Sequence, residues 1–222
     1  MRRPLRRLGA VIAVAAVLGL ATSSCATRQT GGMRVAEAAE ALRRSVVCCT
    51  ELSGAPRLPL PRTPTSVDIG KTSASFEFAG RKAFFVLYEL PAYATPYSIF
   101  VTSQAVGTID DVALFIPRIA LYDADFKQTR YFDESSLRNR GNDVERTVFV
   151  NPSNRGDRYL AIYGADLSAS IHRDYSQVTT QTIAAAGLFL TLHNGVDGKS
   201  TLRTSPGGTL QIETSGLGPA PK

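Results

Sequence analysis

The succession of short β-rich runs after Thr65 limits the fold of this 222-residue chain more than any other feature. "SASFEFA" alternates Phe76 and Phe78 with polar neighbours. "KAFFVLYEL", "YSIFVTSQ", "VALFI", "RIALYD", "ERTVFV", "RYLAIYG", "GLFLTLHN", "STLRT" and "TLQIE" continue the series. Aromatic and β-branched residues at period two fit a pleated, half-buried surface. Turn formers separate the runs: "PAYATP", "GTIDD", "NPSNRGD", "NGVDGK" and "SPGG". The last reads as the turn of a hairpin between "TLRTS" and "TLQIE". Pro117, which lacks a ladder donor, reads as a strand interruption, a bulge or an edge. "DLSASIHRDYSQVTTQTIAAAG" has no clear period and reads as a long inter-strand connection. The expectation is an all-β domain over residues 48–214, a single antiparallel β-sandwich of jelly-roll type, followed by a flexible tail over 215–222.

The start of the chain is of another kind. "MRRPLRR" is basic, "LGAVIAVAAVLGLA" is apolar, and "TSSC" leads through small residues to Cys25. That order is the signature of a secretory signal, and the apolar run falls short of the roughly 20 residues a spanning helix needs. A cysteine closing the small residues resembles the lipobox of bacterial lipoproteins, with Thr22 where a Leu is usual. Residues 1–24 are then a lipoprotein signal peptide and Cys25 the lipidated residue. Ala26 and Thr27, without the Asp typical of inner-membrane retention, point to the outer membrane, facing the periplasm.

Residues 25–47 make a tether and a short helix. "MRVAEAAEALRRSV" is rich in helix formers, with Val35, Ala39, Leu42 and Val46 along one stripe and Glu40 four residues before Arg44. It reads as a spacer or docking helix. "GAPRLPLPRTP" then carries Pro56, Pro59, Pro61 and Pro64, which forbid helix and favour an extended strap. Loss of Arg2, Arg3, Arg6 and Arg7 with the signal lowers the net charge from +6 to +2. The basic footprint of a nucleic-acid binder therefore leaves with the signal peptide, and nucleic acid is not an expected partner.

No catalytic constellation stands out. The two histidines, His172 and His193, have neither HExxH nor ligand spacing around them. GxSxG, GxxxxGK[ST] and GxGxxG do not occur, and no catalytic residue, cofactor or metal is expected. Asp123 and Asp125 in "DAD" read as a hairpin turn, since Asp bonds its own backbone there. Arg155 to Asp157, "RGD", sits among turn formers. Asn194 and Asp197 in "NGVDGK" read as a turn in preference to a calcium loop. Eight tyrosines and no tryptophan remain. Tyrosine rings on a sandwich face can stack on sugars, although half-buried packing explains them as well.

With Cys25 bonded to lipid, an odd count of three cysteines becomes one adjacent pair, Cys48 and Cys49, in an oxidising compartment. A vicinal disulfide spans neighbouring Cα atoms and closes a minimal loop, so chain entropy gives it little stabilising power. Three roles stay open: a kink aiming the Pro-rich strap, an exposed sulfur platform for a ligand, or two reduced thiols packed as small hydrophobes.

The chain resembles the maltose-operon periplasmic protein family and its lipoprotein relatives. The resemblance runs from about Cys48 to Glu213 and lies in "CCTEL" before the strap, "LPAYATPYSIFVTS", "PRIALYDADFKQTRYF", "RYLAIYGADL" and the closing "GLFLTLHNGVDGKSTLRTSPGGTLQIE". It implies an envelope protein without catalytic residues, linked in some members to uptake of maltose-type sugars. The adjacent cysteines are typical of the lipoprotein relatives, and the founder's long C-terminal extension is missing. The function expected is a non-catalytic accessory binding module for carbohydrate uptake, held to the membrane by its lipid. The alternative is a structural adaptor docking on another envelope protein.

Overall fold

The computed structural model describes residues 29–165, 170–185 and 188–217. The expected signal peptide over 1–24 and the expected lipidated residue, Cys25, lie outside the described residues. In chain order the elements are α1 (Gly31–Arg44), β1 (Leu58–Pro59), β2 (Thr65–Ile69), β3 (Ala74–Phe78), β4 (Arg81–Glu89), β5 (Tyr97–Gln104), β6 (Val106–Gly107), β7 (Asp111–Phe115), β8 (Pro117–Tyr122), β9 (Gln128–Phe132), β10 (Arg138–Arg140), β11 (Asp143–Val150), β12 (Tyr159–Gly164), β13 (Ser170–Ala185), β14 (Leu188–Ser205) and β15 (Gly208–Ser215).

The strands form an all-β, sandwich-like fold. One sheet has the order β1-β4-β12-β8-β9, with β3 also on β4; a second has the order β10-β11-β5-β15-β2. Their inner faces meet in one core. Phe84, Val86 and Tyr88 of β4, Leu160 and Ile162 of β12, and Ile119 and Leu121 of β8 face Ile99 and Val101 of β5, Val148 of β11, and Leu210 and Ile212 of β15. Period two explains the choice, because alternate residues of each strand share a face. β4 departs from simple alternation: all six residues from Ala83 to Tyr88 are buried. Its second face carries Ala83, Phe85 and Leu87, covered by Leu52 and Ala55 of the strap, with Cys49 packed alongside.

A third sheet, β13-β14-β7-β6, adjoins the sandwich. Two pairings are parallel, β1 with β4 and β14 with β7. Pro117 marks the switch between sheets. Phe115 pairs with Ser205 in the third sheet and Pro117 with Gly164 in the first, leaving only Ile116 between.

Three expectations are corrected here. The segment read as an irregular connection forms β13, paired with β14 from Ser170↔Arg203 to Ala185↔Leu188. Its Ser, Thr and Gln residues show no apolar alternation, so the sequence offered no period by which to read a strand there. "NGVDGK" lies inside β14, with Asn194 opposite Thr179 and Asp197 opposite Ser176, so no turn forms there. "SPGG" does not close a hairpin: β14 pairs with β7, while β15 pairs with β2 and β5 in the other sheet. It turns a tight corner instead, where a Cβ on Gly208 would come within 2.7 Å of the Phe115 Cβ.

Helix α1 is part of the body. The Thr30 side chain caps it by accepting from Met33 N at 3.3 Å. Gly31 is buried so closely on β7 that a Cβ would lie 2.7 Å from Ala113 N. Glu40 pairs with both Arg43 and Arg44. At the other end Lys82 Nζ donates to the carbonyls of Arg43 (3.1 Å) and Ser45 (2.9 Å), which the helix leaves unpaired. Ala41 and Leu42 pack against the core. Val46, expected to continue the apolar stripe, lies past the helix end and is 86 % exposed. At the other terminus, β15 runs to Ser215 and Leu217 packs on the core, so residues 215–217 of the expected tail belong to the body, and 218–222 lie outside the described residues.

Candidate ligand-binding face

The second face of the first sheet brings four tyrosines and a paired arginine together. Strand register sets Arg118, Tyr163 and Phe85 in one row, Tyr131, Ala120, Ala161 and Leu87 in the next, and Tyr122, Tyr159 and Glu89 in a third. Ala120 and Ala161 are fully covered, while the tyrosines around them are graded: Tyr163 buried, Tyr122 and Tyr159 half-buried, Tyr131 42 % exposed. Burial raises the Tyr163 hydroxyl above the ordinary tyrosine value, and the nearby Tyr131 and Tyr122 add to the effect. Burial also raises Tyr122. The Tyr122 and Tyr163 hydroxyls therefore stay neutral over the physiological range.

Two aromatic stacks bound the face. Phe78 lies flat on Tyr163, centroids 3.8 Å apart. Phe126 lies on Tyr159 at 4.2 Å, and Arg57 of the strap sits 5.3 Å from both ring centroids while its Nη1 donates to Tyr159 Oη at 3.2 Å. Sequence reasoning missed Arg57 and Phe126. The only local hint was a phenylalanine inside the Asp-rich turn, where Phe126 takes a positive φ of 59°. That turn is the expected one: Asp123 Oδ1 accepts from Asp125 N (3.0 Å) and Lys127 N (2.9 Å), closing the β8–β9 hairpin.

Toward α1 the face deepens into a groove of about 410 Å³, lined by Val35, Leu42, Phe78 and Tyr163 with Arg43, Lys82 and Arg118 at its edge. Arg118 bonds Glu134 through Nε at 3.0 Å. That bond holds the Glu134 carboxyl below its ordinary range and raises the guanidinium.

Cys48 and Cys49 lie at disulfide distance on the opposite border, beside Phe76 and Glu77. Cys48 is exposed and Cys49 half-buried against the apolar cluster. Cys48 N donates to Ser75 O at 2.9 Å, next to a parallel bridge from Val47 to Ser75. The pair thus stands where the helix has ended and the strap begins to cross β4.

Other sequence candidates are scattered. His172 is exposed, its Nδ1 3.0 Å from Thr201 Oγ1. It stands opposite Thr201, whereas His193 stands opposite Thr180, eight rungs further along the same ribbon. At about 3.4 Å per residue that is roughly 27 Å, too far for a shared ligand. No group of three His, Cys, Asp or Glu able to hold a metal occurs among the described residues. In "RGD", Asp157 is buried and engaged by Arg130 Nε at 2.9 Å and by Thr129 Oγ1. No family model, curated protein or solved structure matches the chain.

Proposed function

We propose that this chain is a non-catalytic binding module of the bacterial envelope, held at the outer membrane by lipid on Cys25 and facing the periplasm, which serves uptake of maltose-type carbohydrate. The observation that carries the ligand class is the convergence of Tyr122, Tyr131 and Tyr159 on one outer sheet face, with the buried Tyr163 beside them. Sugar rings present C–H faces that lie on aromatic plates, and hydroxyls that bond phenolic tips, guanidinium groups and carboxylates. Arg57, Arg118 and Glu134 supply such groups beside the rings.

The resemblance in sequence order supports the link to maltose-type sugars. The test is calorimetric titration of the Cys25→Ser protein with maltodextrins. Removing one ring, as in Tyr131→Ala or Tyr159→Ala, is expected to weaken binding about three- to tenfold, from about 0.5–1.5 kcal/mol per aromatic contact. Absence of binding to any maltodextrin, together with recovery of a stoichiometric envelope protein on the same face, would replace this reading with the adaptor.

A further inference from the structure

Helix α1 and the second face of the first sheet enclose the groove of about 410 Å³ between them. That volume falls within the roughly 300–1,000 Å³ typical of sites that hold small molecules. From the helix, Val35, Ala39 and Leu42 line it. Their spacing of four and three residues sets them on one helix face, one above the other. Gly31, Ala41 and Leu42 already seat the helix on the body. Val35 and Ala39 belong to neither apolar cluster of the described residues, so their apolar surface serves the groove and not the core. The sheet contributes the small Ala83 and the ring pair Phe78 and Tyr163, stacked with centroids 3.8 Å apart and planes within 2°. Aliphatic side chains beside a flat aromatic wall favour hydrocarbon over water.

The edge of the groove is cationic. Arg43, Lys82 and Arg118 line it, and no Asp or Glu does among the described residues. The carboxylates standing near these cations are outnumbered. Glu40 serves both Arg43 and Arg44, and Glu134 serves Arg118. Lys82 donates to the neutral carbonyls of Arg43 and Ser45. Two carboxylates, Glu40 and Glu134, thus meet four cations, Arg43, Arg44, Lys82 and Arg118. Surplus positive charge beside an apolar wall is complementary to a molecule with hydrocarbon at one end and an anion at the other. A sugar is a poorer match here, because Val35, Ala39 and Leu42 offer its hydroxyls no side-chain partner.

We infer that this groove binds a single-chain amphipathic anion. Its hydrocarbon tail lies along Val35, Ala39 and Leu42 against the Phe78–Tyr163 stack, and its head group meets Arg43, Lys82 and Arg118. Val35 to Leu42 spans about 10 Å of helix, a length that a chain of medium size fills. Burial of the tail supplies affinity without direction, and charge-assisted bonds to the head fix which end points where. Free fatty acids and single-chain phosphate esters share this chemistry. The groove needs neither sugar on the tyrosine rows nor lipid on Cys25 to act in this way.

The test is calorimetric titration of the full-length Cys25→Ser protein with decanoate and with decyl phosphate, each below its micelle threshold. Saturable one-to-one binding is expected, and the tighter of the two names the head group. 1-Decanol has a tail of the same length and no charge, and it should bind about tenfold more weakly, the factor expected for a bond between charged groups. Arg43→Gln changes a side chain that is 73 % exposed and keeps a good helix former. It should weaken the anion about three- to tenfold and leave decanol unchanged. Ala39→Trp fills the groove and should abolish binding of all three, with the urea midpoint reporting that the fold is kept. Absence of saturable binding by either anion overturns the inference. So does decanol binding as tightly as the anions, or an affinity that Ala39→Trp leaves unchanged in the folded protein. Arg43→Gln decides independently of the indole, since an unaltered anion affinity in that variant also overturns it.

Discussion

Two buried polar groups in the sandwich have opposite expectations. Tyr88 is 2 % exposed, its hydroxyl has no hydrogen-bond partner, and burial pushes it up to about 12. Removing an unpaired buried hydroxyl takes away a desolvation cost and no bond, so Tyr88→Phe is expected to leave stability unchanged or raise it by about 1 kcal/mol, read from the urea midpoint. Asp157 is the reverse case. It is buried, and its oxygens are held by Thr129 and by Arg130, itself only 22 % exposed at the side chain. Asp157→Ala would leave the guanidinium without its counterion and should cost about 3 kcal/mol in the same measurement. The sequence reading placed this Asp among turn formers, and its backbone is there, with Asp157 N bonded to Asn154 O at 3.1 Å. What no local pattern could show is the arrival of Arg130 from 27 residues upstream.

At the level of elements, helix α1 was legible and its seat was not. Helix formers and a Glu40–Arg44 pair are local signals that the sequence showed; the close approach of Gly31 to β7 depends on a strand some 80 residues later. Asp111 is the clasp. Burial acts to raise its carboxyl, but the bonds from Gly32 N–H and Arg203 outweigh it and hold the group below the ordinary carboxylate range. A pKa lowered by folding contributes stability above the unfolded value, and that contribution vanishes as pH falls through the folded value. The difference in melting temperature between the parent and Asp111→Asn is therefore expected to be largest near neutral pH and to shrink below about pH 4. Asp111→Ala should also speed hydrogen exchange over residues 31–44, at a cost of about 1–3 kcal/mol. Strand β13 was not legible, because its run of Ser, Thr, Gln and charged residues carries no apolar alternation and left no period to read.

For the whole molecule, the period-two runs were enough to name the class of fold, because each strand that packs on the core must alternate or, like β4, be apolar on both faces. Far-UV circular dichroism should accordingly be strand-dominated, with a single thermal transition for the sandwich; a mainly helical spectrum would contradict the fold. The order of strands within each sheet was beyond reach, since it is fixed by partners far apart in sequence. β15, the last strand among the described residues, lies between β5 and β2 in the interior of its sheet, and Thr209 Oγ1 bonds Asp68 Oδ1 across 141 residues. A chain ending at Ser205 would lack Leu210 and Ile212 from the core and should show no cooperative transition at all. The molecule thus has a built-in timer. While the chain is being made from its N-terminal end, β2 and β5 wait without the strand that joins them. The sandwich closes only after Gly208–Ser215 has been added, so a partly made chain stays open until its last described strand arrives.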